Sequence, residues 1–237
     1  MKKIRTKYIL AVVLLLLFAA LTYALQEVDV QIYSVTNSPI GFANVNIAVQ
    51  EKLDTLLTEY RGEDGLFYKI TKYLGYASIL TVPCFALLAL SQLIRKGSLK
   101  GVNGDLWALL VPYVLLAACY VGFEKYIVNY RPILMDGALE ASYPSSHTML
   151  TVILLGVTSV QMKKRIRVRP LRALVRFVLG LAIAAMAVGR LLSGVHWLTD
   201  VIGAVLIGLA VVSLYDAIFT QIRRAQKRKA KARRRSR

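Results

Sequence analysis

The sequence predicts an all-α, polytopic membrane protein with six transmembrane helices and both termini on the cytoplasmic side. Two observations carry this prediction. Hydrophobic residues make up 57% of the 237-residue chain, and the mean hydropathy is +0.54, which is more apolar than an ordinary soluble domain. The formal net charge is +18, yet the basic residues lie in a few clusters. An integral membrane protein with basic connections on one side has both properties.

Six apolar segments each approach the ~20 residues that a helix needs to cross a bilayer. They are residues 8–25, 68–94, 106–123, 148–162, 174–192 and 198–219. The fourth is short and directly follows a polar motif, so its helix can begin earlier. The first also loosely fits a signal peptide. We favour a retained anchor, because Leu25 and Gln26 make a poor cleavage context.

The predicted organisation has four parts. They are a transmembrane anchor at 1–25, an external segment at 26–67, a five-helix core at 68–219 and a basic cytoplasmic tail at 220–237. The external segment contains an amphipathic pattern at 47–60. This pattern is compatible with a helix on the membrane surface near a site mouth, or with a simple connector, and we favour the connector.

Orientation follows from lysine and arginine. Of the 31 basic residues, 24 fall at the N-terminus, in the second-to-third and fourth-to-fifth connections, and in the tail. The positive-inside tendency places this face in the cytoplasm. The tail sequence KRKAKARRRSR also invites a nucleic-acid interpretation. A polybasic segment directly after a spanning helix is better explained by attraction to anionic lipids, so we expect no nucleic-acid partner.

A candidate site lies in GRLLSGVHWLTD, residues 189–200, between two apolar runs. Ionisable residues at membrane depth are expensive, which makes them functional candidates. On a helix, His196 and Asp200 share one face, so Asp200 can accept a hydrogen bond from a ring nitrogen and orient the imidazole. The break at Ser193 and Gly194 lets Arg190 return to the same region. The alternative is a snorkelling arginine beside an interfacial His-Trp pair.

Two further polar clusters accompany it. In ASYPSSHTM, residues 141–149, Ser145 or Ser146 can cap a helix whose N-terminus suits an anion, with His147 in its first turn. In EKYIVNYRP, residues 124–132, Arg131 and Lys125 offer phosphate-binding cations. Taken alone, the first cluster is an ordinary cap and the second a basic helix flank.

The six-helix topology brings all three clusters to the external face. Three cations and two histidines argue against a divalent-metal site, which needs carboxylate or neutral ligands, so we expect neither a metal nor another cofactor. The same set suits a phosphoryl group, whose transfer depends on positioning and charge stabilisation.

These residues resemble the three signature motifs of the type 2 phosphatidate phosphatase superfamily, which are Lys-x6-Arg-Pro, Pro-Ser-Gly-His and Ser-Arg-x5-His-x3-Asp. The chain has Lys125-x5-Arg131-Pro132, Pro144-Ser145-Ser146-His147 and Gly189-Arg190-x5-His196-x3-Asp200. The third motif keeps its spacing throughout. The departures are the shortened first motif, with Glu124 at the family's lysine position, Ser146 in place of glycine and Gly189 in place of serine.

The resemblance implies a membrane lipid phosphatase. His196 would attack phosphorus while Asp200 orients the His196 imidazole, and His147 would protonate the leaving oxygen. Arg131 and Arg190 would hold the phosphoryl oxygens, helped by Ser145, Ser146 and Lys125. The expected substrate is a lipid phosphate such as undecaprenyl diphosphate, phosphatidate or phosphatidylglycerophosphate, with the outward site favouring the first. The rival function is a non-catalytic phospholipid-binding or transport protein that keeps the fold.

Overall fold

The computed structural model describes residues 2–235, which form nine α-helices and one short hairpin. The helices are α1 (Lys2–Glu27), α2 (Ala43–Leu57), α3 (Leu66–Ile79), α4 (Thr81–Lys96), α5 (Gly104–Trp107), α6 (Leu110–Lys125), α7 (Ser146–Arg165), α8 (Arg169–Leu192) and α9 (Leu198–Arg235). The antiparallel strands are β1 (Gln31–Tyr33) and β2 (Ser38–Ile40). Short 3₁₀ turns cover Thr58–Tyr60 and Leu99–Gly101.

Five helical stretches within the described residues are long and apolar enough to cross a membrane. They are Ile4–Glu27, Leu66–Lys96, Gly104–Lys125, Arg169–Leu192 and Leu198–Arg228. Their outer surfaces carry large apolar side chains such as Phe177, which is 68% exposed, as expected where a helix faces lipid rather than water. A helical, multi-pass membrane protein is therefore confirmed. The six-span count and the cytoplasmic placement of both termini stay predictions.

The predicted fourth span corresponds to α7, which is 20 residues long and begins at Ser146, two residues before the predicted start. It is the least lipid-exposed of the long helices, with most of its residues buried. Buried polar side chains, among them Thr151 and Gln161, lie along it. Because its neighbours enclose it, α7 needs less apolar surface than a helix that faces lipid.

Two predicted spans are interrupted near a proline. The second consists of α3 and α4, with the junction at Leu80, three residues before Pro83. The third consists of α5 and α6, with its junction just before Pro112. A proline lacks the backbone N–H and its ring crowds the carbonyl four residues earlier, so both junctions have a local cause.

The centre of the bundle is the parallel pair α7 and α9. Glycines bring the two helices close together: a Cβ at Gly156 would lie 2.5 Å from Val212, and one at Gly208 would lie 2.6 Å from Val152. Small residues at crossings are a general means of close helix packing in membranes. The last helix continues without a break from the predicted core into the basic tail; Ser236 and Arg237 of that tail lie outside the described residues.

The external segment is more than the connector that we expected. Its hairpin and α2 pack on the loop between α8 and α9, where Ile40 and Ala43 enclose the fully buried Trp197. The amphipathic pattern at 47–60 covers all but the first turn of α2 and the following 3₁₀ turn. Asn46 donates a hydrogen bond to Thr199, and Gln50 donates one to the Gly194 carbonyl.

The first helix lies along α9 and contributes to the core at both ends. Lys7 pairs with Asp216 at 2.8 Å, while Phe18 and Leu25 pack in a buried cluster with Ile153 and Val211. Removal of this helix would expose that cluster.

We therefore predict that the mature protein retains its first helix. Intact-mass measurement of protein purified from membranes should show a chain that still contains residues 1–25. A mass lower by that segment would contradict the prediction and restore the signal-peptide interpretation.

Candidate active site

A cavity of about 260 Å³ lies where the ends of α3, α6, α7 and α8 meet the connection between α6 and α7. Four of the residues singled out in the sequence line it, namely Arg131, Ser146, His147 and Arg190. The structure thus brings all three sequence clusters to one end of the bundle. Arginine and histidine side chains around one concave space form a suitable environment for an anion.

His196 and Asp200 lie beside this cavity and are buried, with His196 1% exposed and Asp200 0%. The predicted direct hydrogen bond between His196 and Asp200 is not formed, since Nδ1 of His196 is 3.7 Å from Asp200 Oδ2. A third side chain connects the two residues instead, forming a relay. Ser142 stands between them: its Oγ is 3.1 Å from His196 Nδ1 and donates a short hydrogen bond to Asp200 Oδ2. Ser142 also lines the cavity.

The relay defines the tautomer of His196. Since the Ser142 hydroxyl gives its proton to Asp200, its oxygen accepts from Nδ1–H, and the lone pair of the ring is left on Nε2. Within the described residues Nε2 is buried and has no hydrogen-bond partner. Burial lowers the pKa of the His196 imidazole well below its ordinary value, and the charges of Arg131 and Arg190 lower the pKa further.

Asp200 also organises the backbone around it. Its Oδ2 accepts a hydrogen bond of 2.8 Å from the Trp197 amide, and its carbonyl accepts one from the Ser145 amide. Asp200 is the third residue of α9 and its side chain reaches back to the N-cap amide, as in a capping box. The start of α9 is thereby tied to the start of α7.

His147 and Arg190 form a second pair. An Arg190 guanidinium nitrogen lies 2.9 Å from His147 Nδ1. Because arginine can only donate, Nδ1 accepts and the imidazole in this arrangement is neutral. Arg190 is fully buried, with its guanidinium 4.9 Å from the centre of the Tyr68 ring and 3.4 Å from Thr71 Oγ1.

Arg131 contacts the loop before His196 and one carboxylate. It reaches the Val195 carbonyl at 3.5 Å and forms an ion pair of 3.2 Å with Glu140. Three carboxylates, those of Glu124, Asp136 and Glu140, line the cavity together with the cations. The sequence reasoning did not anticipate this acidic rim.

The two serines before His147 have different environments. Ser145 is fully buried and its hydroxyl contacts Thr148 Oγ1 at 3.0 Å, whereas Ser146 lines the cavity. Lys125 is exposed at the end of α6 and is not part of the cavity lining, which includes Glu124 instead. A phosphate contact from Lys125 stays a prediction.

Sequence reasoning missed Ser142 and Arg61. Ser142 was within reach, because it lies in the quoted motif ASYPSSHTM two residues before Pro144. For Arg61, no motif or spacing in the sequence indicated a position near the site. It comes from the external segment, donates to the Leu192 carbonyl at 3.1 Å and lies against Gly194, whose φ of +76° suits glycine.

A second, apolar groove of about 560 Å³ adjoins the cavity between α3, α4, α6 and α7. It shares Tyr120, Ser146 and His147 with the polar cavity, and its other walls include Ile79, Leu116, Leu150 and Leu154. A polar compartment and an apolar one therefore meet at His147.

The fold and the cavity define a class, a polytopic helical membrane protein with arginine and histidine around a buried polar cavity. The sequence matches the PAP2 superfamily over residues 82–224, more than half of the chain, and the chain belongs to that family. The resemblance drawn from the three motifs is thus confirmed.

The fold is shared with a solved structure. The transmembrane PAP2-type phosphatidylglycerolphosphate phosphatase of Bacillus subtilis is 16% identical, with a TM-score of 0.65 over 90% of this chain and 96% of that one. LpxE of Aquifex aeolicus is 19% identical over 71% of this chain and 94% of that one, with a TM-score of 0.42. No curated protein sequence matches the chain.

We predict that His196 stays neutral in mildly acidic solution. The sequence has two histidines, so H147N leaves His196 as the single histidine for NMR titration with labelled histidine. Because burial and the neighbouring arginines disfavour the imidazolium, the ring should gain its proton well below the ordinary value of about 6.5. The denatured protein is the control and should titrate near about 6.5. Titration of the folded protein at or above that value would contradict the assigned environment.

Proposed function

We propose that the protein is a membrane lipid phosphatase that hydrolyses a phosphomonoester or diphosphate through a phosphohistidine on His196. One observation carries the proposal: a neutral histidine is oriented through Ser142 by a buried carboxylate and keeps the lone pair of its Nε2 without a partner. Simple binding of an anion needs positive charge but does not need an oriented, neutral imidazole. Nucleophilic catalysis needs an activated group of this kind.

In the first step, Nε2 of His196 attacks phosphorus and forms a P–N bond while the bond from phosphorus to the lipid oxygen breaks. His147, as an imidazolium, gives its proton to the departing oxygen. In the second step, His147 accepts a proton from water, whose oxygen attacks phosphorus. The P–N bond breaks, inorganic phosphate leaves and His196 is regenerated. Side chains at the cavity wall must shift for the phosphoryl group to reach the buried Nε2.

His147 has to change partners to act as an acid. Its Nδ1 accepts from Arg190 in the structure, and an imidazolium has no lone pair to accept with. A phosphoryl group offers Arg190 stronger, charged acceptors. Binding would turn Arg190 towards phosphate and leave Nδ1 free to take a proton, so the acid forms when substrate is present.

The phosphate site would be completed by Arg131, Ser146 and the N-terminus of α7, with Ser145 supporting the turn and Lys125 as an outer cation. Arg131 already holds one carboxylate, that of Glu140, which a phosphoryl group would displace. These groups supply positive charge without a divalent metal, and no metal enters the proposed steps. Within residues 2–235, no three His, Cys, Asp or Glu side chains are grouped to hold one.

A lipid substrate is supported by the apolar groove that meets the cavity at Ser146 and His147. The phosphate headgroup would enter the polar cavity while an acyl or prenyl chain lies in the groove. Undecaprenyl diphosphate, phosphatidate and phosphatidylglycerophosphate all have this form. The distribution of basic residues supports an orientation with the cavity on the external face of the cell membrane and the basic face towards cytoplasmic anionic lipids.

The second candidate is a phospholipid-binding or transport protein that keeps the fold without catalysis. The shortened first motif and Ser146 in place of glycine are the observations in its favour. Neither change touches His196, Ser142 or Asp200.

We predict metal-independent phosphate release that depends on His196. Purified protein in detergent with EDTA should release phosphate from at least one of undecaprenyl diphosphate, phosphatidate and phosphatidylglycerophosphate. H196A and H196N should each lower kcat at least about 1000-fold, because loss of a nucleophile removes the covalent route. H196N is the matched variant, since its amide can still donate to Ser142.

Three outcomes separate the candidates. Full loss in both variants, with unchanged lipid binding, supports the covalent route. Activity that survives in H196N would contradict the phosphohistidine. No release from any of the three lipids by the unaltered protein would favour the binding function.

A separate prediction concerns the relay through Ser142. S142A should lower kcat by roughly 10- to 100-fold with little change in KM, because one hydrogen bond to a charged network is lost. S142T keeps a hydroxyl and should retain more of the activity. Equal kcat values for S142A and the unaltered protein would show that Asp200 does not act through Ser142.

A further inference from the structure

A basic pocket of about 330 Å³ lies at the end of the bundle opposite the active cavity. Its lining residues are Lys7, Lys163, Phe219, Thr220, Arg223, Arg224 and Lys227. On α7, Lys163 is 16 residues beyond His147, so the pocket and the cavity are about 24 Å apart along the helix. The pocket therefore has no part in the chemistry proposed above.

The floor of the pocket is an ion-paired cluster that ties three helices together. Asp216 of α9 pairs with Lys7 of α1 at 2.8 Å and with Lys163 of α7 at 2.9 Å. Lys7 also donates to Thr220 at 2.7 Å. One carboxylate thus faces two ammonium groups, so the cluster of these three side chains has a net positive charge.

The rim adds three more cations. Arg223, Arg224 and Lys227 lie three, four and seven residues beyond Thr220 and so share its face of α9. Arg223 donates to the Lys163 carbonyl at 3.4 Å and stacks over Phe219. No ion pair found in residues 2–235 joins these three side chains to a carboxylate. Five cations therefore surround one concave space that holds one nearby acid.

The pocket lies at the level where the bundle changes from apolar to charged. The apolar stretches Ile4–Glu27 and Leu198–Arg228 both reach this end of the bundle, and buried Phe219 supplies an apolar wall. A change of this kind is expected at the depth of phospholipid headgroups, where basic side chains are attracted to anionic lipids. Arginine forks match phosphate oxygens in pairs.

We propose that this pocket binds the phosphate group of an anionic phospholipid in the leaflet opposite the active cavity. The proposal goes beyond a general attraction of the basic face for anionic membranes, because it assigns one defined site formed by α1, α7 and α9. Lys7 and Lys163 would contact the phosphate from below, and Arg223, Arg224 and Lys227 would close around it.

The test is lipid binding by native mass spectrometry of the full chain in detergent, with phosphatidylglycerol as probe. Its phosphodiester is not a phosphatase substrate of the proposed type. R223Q/R224Q/K227Q should weaken binding at least about tenfold, because three cations leave the rim. The matched control is K100Q/R167Q/R169Q, which removes three exposed cations from the same end of the bundle but outside the pocket. It should change binding less than about twofold.

Both variants keep the active cavity, so lipid bound in that cavity contributes equally to the binding measured for each. Their phosphatase activity shows that each variant is folded. Equal weakening in both variants would overturn the defined site in favour of diffuse surface charge, and unchanged binding in the rim variant would also overturn it. Glycerophosphoglycerol, the same headgroup without acyl chains, tests the source of the phosphate. Binding of it as tight as that of the lipid would overturn the lipid assignment.

Discussion

The structure depends on the burial of one carboxylate. Asp200 has no exposed surface, and a buried charge persists only where donors converge on it. Those donors come from Ser142, in the connection before α7, and from the Trp197 amide, at the start of α9. The same interactions that make this burial tolerable hold the loop, α7 and α9 in register, so the bundle end and the candidate site form together.

The second determinant is the closeness of α7 and α9. Glycines at their crossing let the helices approach until side chains interlock, and the other helices surround that pair. The histidine at the start of α7 and the aspartate at the start of α9 therefore have little freedom to move apart. Precise placement of reacting groups is a large part of catalytic power in phosphoryl transfer.

Periodicity predicted the helices, because it depends on residues close in sequence, and the order of the spans predicted the convergence of Arg131, His147, Arg190 and His196, because it decides at which end of the bundle each motif emerges. What the sequence could not show depends on contacts between distant segments. The connection before α7 places Ser142 between His196 and Asp200, and the external segment inserts Arg61 beside Gly194. The first motif is one residue shorter than the family's, and only the coordinates show that Glu124 lines the cavity while Lys125 is exposed outside it.

The polar interior of α7 has a consequence for biosynthesis. A segment with buried threonines and a glutamine, and without an apolar outer face, partitions weakly into lipid by itself. It enters the bilayer favourably when α9 and the adjoining helices are there to cover it. We therefore expect the helices of this protein to insert cooperatively, so that a substitution that weakens α9 impairs insertion of α7 as well as the stability of the finished bundle.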